Sequence, residues 1–113
     1  MTVYADNAAT TCVSDNAVKA MLPFFNNIYG NPSSLHSVGQ RASEALLDAR
    51  KRVAENLGCD YSEIYFTSGG SEADNQAIIS AAVTGERKGK KHIISSAFEH
   101  HAVLHTLDKL RKQ

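Results

Sequence analysis

The chain is poor in the features that mark specialised proteins. Its two cysteines, Cys12 and Cys59, lie far apart with no partner motif beside either. That excludes a disulfide framework and leaves two reduced, structural thiols. Only two prolines and a hydrophobic content of 42% rule out a disordered or proline-rich segment. Twelve basic and twelve acidic side chains cancel, so no charge excess invites nucleic acid or an anionic membrane. Lys109, Arg111 and Lys112 read as the solvated face of a last helical turn. No apolar run approaches the roughly 20 residues that span a bilayer. The opening Met1-Thr2-Val3-Tyr4 lacks the basic start and apolar core of a secretory signal, so a cytoplasmic address is the default expectation.

With 113 residues there is room for one small domain and not for two. Val3-Tyr4-Ala5 opens in extended form. Ser14-Asp15-Asn16 offers N-caps for a helix carrying Val18, Met21, Leu22 and Phe25, running to about Asn26. Asn27 to Ser34 is rich in breakers and reads as a loop. Ala42, Leu46, Ala49, Val53 and Leu57 then recur every three or four residues, predicting a helix from Ser37 to Leu57 closed by Gly58. The expected order continues with a strand at Glu63–Phe66 and a helix from Ser71 to Val83 closed near Gly85. A basic turn at Arg87–Lys91, a strand at His92–Ser95 and a helix from Glu99 to Leu110 follow. That alternation predicts an α/β fold with parallel strands. Two short parallel strands bury little, so the core is expected to be small.

Tyr65-Phe66-Thr67-Ser68-Gly69-Gly70-Ser71-Glu72-Ala73-Asp74-Asn75 carries the clearest chemical signal. A β-favouring run enters a glycine pair and a helix leaves it. Backbone N–H groups then point outward at the positive end of a helix dipole, which suits a phosphate. The Ser71 hydroxyl can join them. Taken alone, such a turn more often binds nothing but water.

Three further segments accompany it: Tyr4-Ala5-Asp6-Asn7-Ala8-Ala9-Thr10-Thr11, Tyr29-Gly30-Asn31-Pro32-Ser33-Ser34-Leu35-His36-Ser37-Val38-Gly39, and Ser95-Ser96-Ala97-Phe98-Glu99-His100-His101-Ala102-Val103-Leu104. In order, spacing and residue type the four together resemble the start of cysteine desulfurases of the NifS/IscS type. Those are class V aminotransferase-family enzymes that use pyridoxal 5'-phosphate (PLP). The resemblance covers essentially the whole chain. It implies the N-terminal part of an aspartate aminotransferase-like, fold type I large domain. Residues 1–35 would form an arm and loop region, and residues 36–113 the start of the α/β domain.

The resemblance also implies roles. Gly70 and Ser71 match the positions that hold the cofactor phosphate, although many relatives carry Thr where Ser71 stands. His100 matches the histidine that stacks on the pyridine ring, where a flat ring covers one face and excludes water. Asn7, Asn31 and His36 match walls of the substrate cleft; from composition alone they read as turn and cap residues. His101 and His105 lie four apart on a predicted helix, yet lack the glutamate that zinc peptidase helices carry after the first histidine, so no metal is expected.

The cofactor-bearing lysine, its aspartate partner and the nucleophilic cysteine of the resembled enzymes all lie later than position 113. Lys19, Lys51, Lys88, Lys90, Lys91, Lys109 and Lys112 match none of that motif, nor do Cys12 and Cys59. The chain is therefore expected to be an N-terminal piece, inactive alone. The intact enzyme would convert L-cysteine to L-alanine and leave a persulfide for iron–sulfur cluster or other sulfur-cofactor assembly. A homodimer and a scaffold or other sulfur-acceptor protein are its implied partners. A selenocysteine lyase-like enzyme sharing this half, and a non-catalytic interaction module pairing through open sheet edges, are the alternatives.

Overall fold

The computed structural model describes residues 2–112, so the outermost positions of the expected segments, 1 and 113, lie outside the described residues. The chain divides into two compact units, one ending at Ile64 and the other beginning at Tyr65. In the first unit, α1 spans Asp15–Met21 and α2 spans Pro23–Asn26. Ser14 caps α1 by accepting from the Ala17 amide at 3.3 Å. The single helix expected here is interrupted at Leu22, because Pro23 has no N–H to continue the ladder and instead opens α2 at its first turn.

Helix α3 spans Ser37–Leu57 and ends as predicted at Gly58, whose φ of 68° is the left-handed conformation that glycine adopts without penalty. A 3₁₀ turn, Tyr61–Glu63, folds back on α3. Asp60 and Glu63 close a capping box there, the Arg50 guanidinium donates to the Ile64 carbonyl, and the Lys51 ammonium sits 5.9 Å from the Tyr61 ring centre. Ala54, on α3, is only 3% exposed. The longer stripe residues Leu46, Val53 and Leu57 stay exposed, so this unit leaves most of the apolar face of α3 uncovered.

In the second unit, α4 spans Gly70–Arg87 and α5 spans His101–Arg111, packed side by side. Helix α4 runs past Gly85 and stops at the turn through Gly89, where φ is 70°. The Lys90 amide donates to the Gly85 carbonyl at 2.8 Å, and Lys91 pairs with Glu86 at 3.3 Å. Helix α5 starts two residues later than the expected Glu99, since His100 is its cap.

The expected strands are corrected by the structure. Residues 64–67 and 91–96 run between helices, and no β-ladder is formed among the described residues. A strand exists only as a member of a hydrogen-bonded pair, and neither segment finds a ladder partner among these residues. The α/β class is thus not realised as a sheet among the described residues, where the elements observed are helical.

Candidate functional site

The start of α4 is built to leave donors available. Gly69 is fully extended and supplies no side-chain cap. Its carbonyl accepts from Ala73 at 3.1 Å, the first i→i−4 bond of the helix. The amides of Gly70, Ser71 and Glu72 precede that bond and lie at the positive end of the helix dipole. A Cβ built at Gly69 or Gly70 meets nothing within 4 Å, so the approach to these amides is open. Glu72 reaches back one turn. Its Oε2 accepts from the Ser68 amide at 2.6 Å and from the Ser68 hydroxyl at 2.8 Å. Those two bonds, the backbone one first, hold the Glu72 carboxyl below its ordinary value.

Helix α5 begins on a histidine. His100 Nδ1 accepts from the Ala102 amide at 3.1 Å, which orients the ring. Just upstream, the Ser96 hydroxyl donates to Glu99 at 2.9 Å. The His100 and His101 rings are 6.2 Å apart and tilted, whereas His101 and His105 stack at 5.5 Å with a 22° angle between planes. No group of three metal-ligating side chains occurs among the described residues.

One open groove of about 460 Å³ joins the two helix starts, with Ser71, Asn75 and Ile79 on the α4 side and His100, His101 and Thr106 among its α5 lining. Ser71 and His100, 29 residues apart in sequence, therefore share one cavity wall system. Sequence reasoning did not single out Asn75 or Thr106. The available signal was a threonine set among Val103, Leu104 and Leu107, where a polar group on a packed face needs a partner.

The remaining expected residues belong to the first unit, where each has a local partner. The Asn7 carbonyl accepts from the Thr11 hydroxyl at 3.2 Å. Asn31 Oδ1 accepts from the Ser33 amide at 2.9 Å in an Asx turn. His36 caps α3, its Nδ1 accepting from Gly39 at 3.3 Å. These bonds account for the Asn31 side-chain oxygen and one His36 nitrogen as turn and cap groups.

An open helix start carrying Ser71 thus shares one groove with the His100 imidazole. The aminotransferase class-V family model matches residues 3–113, and the chain belongs to that family. It is 51% identical over 111 residues to the cysteine desulfurase IscS of Methanosarcina thermophila, covering 98% of this chain and 27% of that protein. It is 44% identical over 108 residues to the putative cysteine desulfurase IscS 1 of Bacillus subtilis, covering 96% of this chain and 28% of that protein. A solved NifS-like protein superposes with a TM-score of 0.88 at 42% identity, over 99% of this chain and 30% of that one. The chain shares the fold of the corresponding part of that protein, and spans a little over a quarter of the length of these curated relatives.

Proposed function

We propose that the intact protein is a PLP-dependent cysteine desulfurase and that this chain supplies its phosphate cup and ring-stacking histidine. The observation that carries the reading is the single groove lined by both Ser71 and His100. The residues present fit the cofactor. The amides of Gly70 and Ser71 and the Ser71 hydroxyl would hold its phosphate, with space above both glycines for the approach. His100, locked by its bond to Ala102, would cover one face of the ring and keep water from it. When bound, PLP supplies an electron sink for the substrate Cα.

The overall reaction takes L-cysteine and an enzyme thiol to L-alanine and an enzyme persulfide, the sulfur passing from the substrate carbon to the thiolate. A sulfur acceptor for iron–sulfur cluster or related assembly, a homodimeric enzyme and a cytoplasmic location complete the proposal. Residues 1–35 would serve as its arm, with Asn7, Asn31 and His36 near the substrate cleft, and residues 36–113 as the start of its large domain. No helix among the described residues is long and apolar enough to cross a membrane.

The test is a PLP titration of the intact protein with an assay for alanine and sulfide from L-cysteine. Ser71→Ala should weaken PLP binding about tenfold, the value of one charge-assisted hydrogen bond. Unchanged affinity, or no alanine from the parent protein, overturns the reading.

A further inference from the structure

Thr106 is the one buried polar side chain among the described residues, at 7% exposure. Its hydroxyl lies against two oxygens, the Ala102 carbonyl of its own helix at 2.8 Å and Asn75 Oδ1 on α4. The second contact joins residues 31 positions apart and ties α5 to α4. Asn75 stands one helical turn beyond Ser71, on the same face. Thr106 stands a turn and a half beyond the His100 cap. Both residues line the groove between the two helix starts.

We propose that Asn75 and Thr106 are positioning residues that set the spacing between the phosphate-holding turn of α4 and the His100 ring. The inference rests on the cofactor reading above and deepens it. The local bonds of each helix start fix its own groups: Glu72 to Ser68 for one, His100 to Ala102 for the other. Neither bond relates one start to the other. The part-buried Asn75–Thr106 contact does, and a polar contact with one member buried tolerates little displacement because leaving that member unpaired is costly. A ligand that engages both starts at once depends on this spacing. An anion engaging only the α4 turn does not.

That difference gives the test. PLP and inorganic phosphate are titrated separately into the intact protein, by absorbance and by phosphorus NMR, for the parent, Ser71→Ala, Thr106→Val, Thr106→Ser and Asn75→Ala. Thr106→Val and Asn75→Ala should weaken PLP about tenfold while phosphate affinity stays within about twofold of the parent. Thr106→Ser, which keeps the hydroxyl, should retain parental PLP affinity. Asn75 is only partly buried, so Asn75→Ala keeps the experiment informative if Thr106→Val does not fold. Equal losses for PLP and phosphate, or no loss for either variant, overturn the positioning role. A parent protein that binds phosphate no better than Ser71→Ala overturns the cofactor reading itself, a separate outcome.

Discussion

Helices α3 and α4 begin in opposite ways, and the contrast separates crowded glycines from open ones. At the start of α3 the chain is crowded. A Cβ on Gly39 would stand 2.5 Å from the Ser34 carbonyl oxygen and 2.7 Å from that of Asn31, and one on Gly30 would stand 2.4 Å from the Val38 oxygen. These glycines let the loop before α3 lie directly on its first turn, while His36 satisfies the Gly39 amide. At the start of α4, Gly69 and Gly70 meet open space, and no side chain caps the helix. One helix start satisfies its Gly39 amide with its own His36 side chain; the other has no side-chain cap, and an uncapped start of that kind is able to receive an anion.

Substitutions at the two starts should break or sharpen that contrast. The largest effect is expected for Gly39→Ala, because the obstructing atoms are backbone and cannot swing away. A loss of about 1–3 kcal/mol, read from denaturant unfolding, follows from overpacking of this kind. Gly70→Ala should leave stability within about 0.5 kcal/mol, since nothing opposes its methyl group, yet weaken phosphate binding several-fold. A reversal of these two stability effects would remove the distinction.

His100→Asn is the finer probe. Asparagine caps a helix as well as histidine does here, so α5 should persist by circular dichroism. PLP affinity should fall while phosphate affinity holds. Equal loss of both would show that His100 acts only as a cap.

The smallest expected effect is pH dependence at Glu72. Its carboxyl is lowered in the folded chain by the Ser68 bonds, so the folded state binds fewer protons than the unfolded one. The stabilisation is therefore complete above the ordinary carboxylate range and is lost as pH falls through the lowered folded value. Glu72→Gln should flatten the acid limb of thermal unfolding slightly. Asp60, lowered first by the Ser62 hydroxyl and then by its amide, should behave alike.

Local signals were the legible part of this sequence. Gly58 as the α3 cap, Ser14 before α1 and the glycine turn before α4 all depend on a few neighbouring residues, and all appear where their chemistry places them. The strands at 63–66 and 92–95 were not realised, because a strand depends on a partner that its own sequence does not specify. The break at Leu22 was legible in Pro23 but masked by the helical spacing of Val18, Met21 and Phe25. The Asn75–Thr106 contact spans two helices, so only packing could disclose it. Leu35 and Phe98, each 91% exposed, show how much apolar surface these helices and loops leave uncovered.

The central claim is that the α4 turn and His100 hold two ends of one ligand. The most direct measurement is PLP affinity of the intact protein for the parent, Ser71→Ala, His100→Asn and the double variant. The account predicts that each single change weakens PLP, that only Ser71→Ala weakens inorganic phosphate, and that the double variant binds PLP most weakly. PLP affinity indifferent to both positions would contradict it.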